Sequence, residues 1–365
     1  MSADTVPGSI ERFGPQEGWR YAAVIPARNE AARIADCLSA LAQSMSGARG
    51  RGAIVVVVNN TGDATRQLAR QWWAARPHVS GLLLDCHIPA RLACVGRARG
   101  LGLDLAAGML APDGVLMTSD ADARVHPDWV AANLRELGRA DLICGTVQPD
   151  AAELAGLPDA FMRHGAAEGR YMQALLKLIA RLDPVPHEGT AHRNAAGASL
   201  AFRLPLYTDI GGMPCLPQHE DRVFAANAEA RDWRIRYAQT PVVHASCRLT
   251  GRTGGGMAAA LRARISDDDP PCDEFLEPAG SAILRYGLRG RLRQAWPDPE
   301  RIARLLPGDG PFDADLPPWF GTFWRQVEAA TPALSRRRLR QSDLAAEQKR
   351  LDHWFAADTL MEKQA

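Results

Sequence analysis

Val115-Leu-Met-Thr-Ser-Asp-Ala-Asp-Ala-Arg-Val-His-Pro-Asp-Trp129 changes character halfway along its length. Val115 to Met117 are apolar and suit the end of a buried strand. The chain then turns polar and presents Asp120 and Asp122, separated only by Ala121. In an extended chain, residues i and i+2 point to one side. Two carboxylates on one side of a strand mouth repel each other unless a cation lies between them. A hard divalent ion that also holds phosphate oxygens is the natural partner. The same residues also suit a solvated loop. Asp128 is placed to cap a helix, and Pro127 turns the chain before the apolar positions Trp129, Val130, Leu134 and Leu137. Read alone, the stretch leaves both readings open.

Upstream, the pattern repeats. Tyr21-Ala-Ala-Val-Ile25 is a short apolar run closed by Pro26, and predicts a first strand. Residues 30–43 follow with apolar positions Ile34, Cys37, Leu38 and Leu41, a helical period. Ala53-Ile-Val-Val-Val-Val58 is β-branched without alternation, which predicts a strand buried on both faces. A turn at Asn59-Asn-Thr-Gly-Asp63 leads into a helix over 64–75. A third strand is expected at 81–85, a helix weakened by Gly96, Gly100, Gly102 and Gly108 at 95–109, and a fourth strand at 114–118. Strands alternating with helices of this length imply an α/β domain with a mostly parallel sheet flanked by helices. Ligands of such sheets collect at the carboxyl ends of the strands. The polar clusters Arg28-Asn29-Glu30, Asn59-Asn60 and Ser119 to Asp122 all fall there.

Downstream, residues 159–182 predict a long helix and Asp183-Pro-Val-Pro-His-Glu-Gly189 a break. The small apolar run 195–202 suits a strand packed closely on another backbone. A turn at Asp209-Ile-Gly-Gly-Met213 precedes a helix over 220–232. Residues 235–238 and 242–244 read as two edge strands. After Gly256 the chain becomes rich in Arg, Ala and Leu with proline breaks, and 339–355 predicts a terminal amphipathic helix. The expected organisation is an N-terminal extension (1–19), an α/β domain (20–256) and a helical C-terminal extension (257–365).

Composition narrows the function. Apolar residues make up 46%, enough for a full core, and 43 basic residues against 42 acidic ones give a net charge of +1, which points away from nucleic acid. No apolar run approaches the ~18 residues needed to span a bilayer. Residues 1–15 carry Asp4 and Glu11 and lack the apolar centre of a signal peptide. Seven scattered cysteines, with Cys37, Cys94 and Cys144 in apolar settings, predict free buried thiols and a cytoplasmic protein. The basic run Arg336-Arg-Arg-Leu-Arg340 suits either a solvated helix start or peripheral contact with a membrane surface.

The motifs Val24-Ile-Pro-Ala-Arg-Asn-Glu30, Val57-Val-Asn-Asn-Thr-Gly-Asp-Ala-Thr65, Ser119-Asp-Ala-Asp122, Gly211-Gly-Met213 and His219-Glu-Asp221 occur in an order that resembles the family 2 glycosyltransferases of the GT-A fold. The resemblance covers roughly residues 20–255. It implies a hexosyltransferase-type enzyme that uses a nucleotide-sugar donor, UDP- or GDP-linked, and a hydroxyl acceptor. Pro26, Ala27, Arg28 and Glu30 then belong to the segment that cups the nucleotide. Asn59, Asn60 and Asp63 form the second nucleotide contact, although many relatives have an acidic pair where this chain has Asn-Asn. Asp120, Ala121 and Asp122 match the DXD motif, with the two aspartates holding Mg²⁺ or Mn²⁺ against the donor diphosphate. His244 is a further metal ligand in this reading. Arg97 and Arg99, one helix before the acidic motif, are then placed to reach the diphosphate or ribose, and Arg248 and Arg252 become donor contacts on a basic loop that runs into Thr253-Gly-Gly-Gly256. Asp221 is the general base and Glu220, the other residue of the catalytic pair, orients the acceptor or fixes the loop, a geometry that implies inversion at the anomeric carbon.

Plainer readings accompany these. Glu30 suits a helix start, Asp63 a helix cap, Arg97 and Arg99 a solvated helical face, His244 a hydrogen-bonded core position, and the Arg248–Arg252 loop a linker. Two other functions share parts of the pattern. A sugar-phosphate nucleotidyltransferase has similar layers but carries a glycine-rich basic loop after its first strand, where this chain has Pro26-Ala-Arg-Asn-Glu30. A nucleotide-sugar-binding scaffold has no need of Asp221. A dinucleotide oxidoreductase is the reading the sequence favours least, since the first strand is not followed by Gly-x-Gly-x-x-Gly and the Gly96–Gly102 cluster follows no convincing strand.

Overall fold

The computed structural model describes residues 6–189, 191–249, 251, 257–306 and 316–362. Among them, nine strands form one sheet: β1 (Val6–Phe13), β2 (Trp19–Ala27), β3 (Arg51–Asn59), β4 (Gly81–His87), β5 (Leu110–Thr118), β6 (Ala123–Val125), β7 (Leu142–Pro149), β8 (Leu200–Arg203) and β9 (Ile235–Ala245). Their order is β1-β4-β3-β2-β5-β8-β7-β9-β6. The core β4-β3-β2-β5 is parallel. Antiparallel β1 closes one side, and antiparallel β8 joins the core to the parallel pair β7 and β9. The α/β class and the parallel core are as expected; the flanks make the sheet mixed.

The period of two along each strand divides the core. From β2, Tyr21, Ala23 and Ile25 pack with helices α1 (Ile34–Ser46), α2 (Thr65–Ala74) and α4 (Trp129–Glu136) through Leu38, Trp73 and Trp129. Ala22 and Val24 face the other way, toward α3 (Val95–Ala107) and helix Glu220–Ala230, with Leu103, Phe202 and Phe224. Each fully buried Val, Ile, Leu or Phe side chain contributes about 1.5–3 kcal/mol. The glycines that weaken α3 as an isolated helix allow it to lie close to the sheet. A Cβ at Gly102 would collide with Val24 and Val57.

Two compact units divide the chain. One comprises residues up to 155, 194–229 and 233–259, and contains the whole sheet. The other comprises 156–193, 230–232 and 260 onward. In the second, helix Asp159–Leu182 packs through Tyr171, Leu175 and Ile179 with helices Ala279–Ala295 and Leu344–Glu362. Its buried Arg285 lies 2.9 Å from Glu277.

Several expectations change. The supposed N-terminal extension supplies β1, paired with β4. Helix Asp159–Leu182, read as part of the α/β domain, belongs to the second unit. The two edge strands 235–238 and 242–244 are one strand, β9, paired on both sides. Only the end of 195–202 is a strand; a 3-10 turn at Gly197–Ser199 precedes it. Cys94 is half-buried, not buried, with its Sγ 3.8 Å from that of Cys215. The basic run 336–340 pairs with acids of its own unit, including Glu277 and Asp343. No helix among the described residues is long and apolar enough to cross a membrane.

Candidate active site at the carboxyl edge of the sheet

Parallel strands bring their polar ends to one edge. β2 and β3 each run into an asparagine in the left-handed region, Asn29 (φ 54°) and Asn60 (φ 49°), a conformation that asparagine tolerates better than most residues. The two loops are stitched together. Asn29 Oδ1 accepts the Gly62 N–H at 2.9 Å, and Asp63 Oδ2 accepts the Ala31 N–H at 3.1 Å. The Glu30 N–H donates to Thr65 Oγ1 at 2.8 Å. Asp63 Oδ1 also accepts the Thr65 N–H at 3.0 Å, but the N-cap of α2 is Ala64, so Asp63 holds the turn before the helix and is not its cap. Asn60 donates through Nδ2 to Ile88 O at 2.8 Å and accepts the Ile88 N–H through Oδ1 at 2.9 Å. The carboxamide of Asn60 thus ties the end of β3 to the segment after β4. Asn59 is buried at the last position of β3. Pro26 and Ala27 close β2, and Arg28 is exposed beyond them.

Asp120 and Asp122 follow β5 in a tight turn closed by the Ala123 N–H on Asp120 O at 3.1 Å, with Ala121 buried between them. Each carboxylate has an arginine. Arg99, only 2% exposed, donates through Nη2 to Asp120 Oδ1 at 2.8 Å and through Nη1 to Gly197 O at 3.0 Å. Its Nε lies 3.5 Å from Glu220 Oε1. Gly197 is required here, because a Cβ at that position would collide with the Arg99 guanidinium. Arg248 donates through Nη1 to Glu30 Oε2 at 2.7 Å, and its Nη2 lies 2.9 Å from Asp122 Oδ2.

Glu220 and Asp221 begin helix Glu220–Ala230, after His219 in a left-handed conformation (φ 61°). Asp221 Oδ2 accepts the Gly197 N–H at 2.7 Å and Oδ1 the Arg222 N–H at 2.8 Å. The Gly197–Ser199 turn therefore joins Arg99, the acidic pair and the acidic helix start. Burial pushes the Glu220 carboxyl up, opposed by the charge of Arg99.

Glu30, Asp120, Asp122, Glu220 and Asp221 thus share this edge with two guanidinium groups, Arg99 and Arg248. The negative charge is not fully offset. Asp122 is pushed up to about 6 by burial and by the charges of Asp120 and Glu30, against Arg248 and Arg33. Beneath it, the buried Cys37 thiol is also pushed up, by burial and then by Asp122, Asp120 and Glu30. A divalent cation suits such a field. Among the described residues no three His, Cys, Asp or Glu side chains are grouped to hold a metal. His244 is therefore not brought to the two aspartates as a third ligand; it lies in β9, opposite Arg124 of β6 and Gln148 of β7. Two carboxylates completed by water and phosphate oxygens remain a sufficient set for Mg²⁺.

Of the remaining expected donor contacts, Arg97 sits in the first turn of α3, where its charge opposes the burial that pushes the Cys86 thiol up to about 11. Arg252 and the glycine run after it lie outside the described residues. The solvated-face reading fails for Arg99, which is buried and central. Its signal in the sequence was its place among Gly96, Ala98, Gly100 and Gly102, small residues that let a helix approach a sheet. Gly197 and Thr65 were missed, because their roles arise only from contacts distant in sequence.

With this geometry in view, residues 22–169 match a family model described as glycosyl transferase family 2. The match ends before Glu220 and Asp221. No curated protein matches the chain. Among solved structures, S. aureus TarS 1-349 in complex with UDP-GlcNAc is similar at 15% identity and a TM-score of 0.45, over 78% of this chain and 71% of that one. The mannosyltransferase PcManGT from Pyrobaculum calidifontis, in complex with GDP-Man and Mn²⁺, is similar at 16% identity and a TM-score of 0.45, over 95% and 81%. Glucosyl-3-phosphoglycerate synthase from Mycobacterium tuberculosis, in complex with Mn²⁺, UDP and phosphoglyceric acid, is similar at 17% identity and a TM-score of 0.40, over 68% and 77%.

Proposed function

We propose that this chain, a glycosyltransferase with a family 2 domain at residues 22–169, moves a sugar from a UDP- or GDP-linked donor to a hydroxyl acceptor with inversion. The observation that carries the reading is the continuous link Asp120–Arg99–Glu220, with Asp221 next in the chain. One buried guanidinium joins the acidic turn after β5 to the acidic start of a helix about a hundred residues later. A binding scaffold has no need of the Asp221 carboxylate, which the Gly197 N–H holds beside this link.

In this reading the donor nucleotide lies along the ends of β2 and β3, and its diphosphate lies near Asp120 and Asp122. Those two aspartates would hold Mg²⁺ or Mn²⁺, which when bound offsets the charge that grows on the leaving diphosphate. The acceptor oxygen attacks the anomeric carbon from the face opposite the diphosphate. As the new C–O bond forms, the bond to the diphosphate breaks, and the acceptor proton passes to the Asp221 carboxylate. An aspartate suffices as base because the hydroxyl becomes acidic as its oxygen bonds to carbon. Two backbone N–H groups fix the orientation of Asp221, so it meets the acceptor in one geometry. Glu220 positions Arg99 and does not need to exchange a proton.

Slow hydrolysis of UDP- and GDP-sugars tests the reading without a known acceptor. The anomer first released, followed by NMR, should be inverted, and Asp221→Asn should remove the activity. Retention of configuration, or full activity in Asp221→Asn, would contradict it.

A further inference from the structure

Arg248 and Arg99 hold the acidic pair in different ways. Arg99 is buried and engages Asp120, Glu220 and the Gly197 carbonyl together, so it cannot leave without breaking the site. The Arg248 side chain is 21% exposed, and among the described residues its head group pairs with two carboxylates, Glu30 and Asp122. Its backbone is fixed independently of its head group. Glu153 accepts the Cys247 N–H at 2.7 Å and the Ser246 hydroxyl at 2.9 Å, and the Arg248 N–H donates to Ser246 Oγ at 3.2 Å. A long side chain on an anchored stem can change partner without moving the chain.

We infer that Arg248 and a divalent cation are alternative partners of Asp122, and that loading the ion turns the Arg248 guanidinium toward the donor's diphosphate. This rests on the proposed function above. A guanidinium 2.9 Å from Asp122 Oδ2 occupies one of the oxygens a cation needs, and like charges that close repel strongly in a half-buried site. Once displaced from Asp122, the planar fork of arginine is suited to two phosphate oxygens at once. Arg248 thus couples ion loading to donor capture: it opposes the ion alone and favours the ion together with a diphosphate.

The inference predicts effects of opposite sign in one variant. In Arg248→Gln, Mn²⁺ alone, followed by the electron paramagnetic resonance of the free ion, should bind roughly tenfold more tightly than in the parent. In saturating Mn²⁺, UDP or GDP should bind roughly tenfold more weakly to the variant by calorimetry. Arg248→Lys, which keeps the charge but loses the fork, should hold Mn²⁺ near the parent's affinity and still bind nucleotide weakly. It is also the variant to use if Arg248→Gln does not fold. Unchanged Mn²⁺ affinity in Arg248→Gln, or unchanged nucleotide affinity in both variants, overturns the inference and leaves the proposed function standing. A parent protein that binds UDP or GDP equally in Mn²⁺ and EDTA, with no Mn²⁺ bound, overturns the metal role itself and this inference with it.

Discussion

Arg99 Nη2 meets Asp120 Oδ1 at 2.8 Å from a side chain that is almost wholly enclosed, and the same guanidinium reaches Glu220. The contact makes the acidic turn after β5 part of the protein's interior electrostatics. Asp120 is 37% exposed and stays partly solvated, whereas Glu220 is buried, so removal of the guanidinium chiefly leaves the Glu220 carboxylate without its opposing charge.

Arg99→Gln should therefore destabilise the fold by about 1–3 kcal/mol, less than for a fully enclosed pair because Asp120 is partly solvated. Arg99→Lys should cost less, because charge persists while the fork to Gly197 O and Asp120 is lost. Urea midpoints of the two variants check this order. Equal midpoints for Arg99→Gln and the parent would show that the guanidinium is not needed to balance Asp120 and Glu220.

Asp221→Asn should keep the hydrogen bond from the Gly197 N–H and lose the capacity to accept a proton. Turnover is expected to fall by roughly 10²–10⁴-fold, with the affinity for UDP or GDP close to the parent's. A fall in nucleotide affinity as large as the fall in turnover would move Asp221 from the acceptor side to the donor side.

Asn60→Ala removes both hydrogen bonds to Ile88 and places alanine at φ 49°. The expected effect is a loss of about 1–3 kcal/mol of stability, with nucleotide selectivity unchanged. Altered UDP-to-GDP preference with an unchanged melting point would return Asn60 to base recognition.

Asp141 gives the acid limb of the stability curve. Burial pushes its carboxyl up, but hydrogen bonds and charge from Arg234, with Arg203 beyond, outweigh that and hold it below the usual carboxylate range. A carboxylate depressed in the fold contributes stability that is present above its unfolded value, ~3.9, and is lost as pH falls through the lower folded value. The parent should therefore lose stability below about pH 4 more steeply than Asp141→Asn, measured by urea unfolding across that range. Parallel curves would show that the Arg234 pair carries no net stability.

The sequence made the centre of the sheet legible because local pattern determines it. Ile54 to Val58 are β-branched and apolar with no alternation, and all are fully buried. The carboxyl edge was legible for the same reason, since parallel strands must end together and the polar residues followed each strand. β1 was not legible. Its alternation is weak, and it exists because β4 has an open edge to pair with. The pairing of Arg248 with Glu30, 218 residues apart, was equally hidden. Periodicity shows which face a residue is on, but not which distant charge it meets. For Arg99 the sequence shows the helix but leaves a phosphate contact and a solvated face equally open, because a charged residue is normally exposed unless partners hold it inside. Those partners, Asp120, Gly197 and Glu220, come from three other segments.

Asp120 and Asp122, at the carboxyl edge of the sheet, are proposed to bind a sugar donor's diphosphate through a divalent ion. Calorimetric titration of UDP and GDP into the protein, in Mn²⁺ and then in EDTA, tests this most directly, with Asp122→Asn as the paired variant. At least one nucleotide should bind the parent in Mn²⁺, its affinity should fall at least roughly tenfold in EDTA, and Asp122→Asn should bind weakly in both. Equal affinity in Mn²⁺ and EDTA, unaltered by Asp122→Asn, would contradict it.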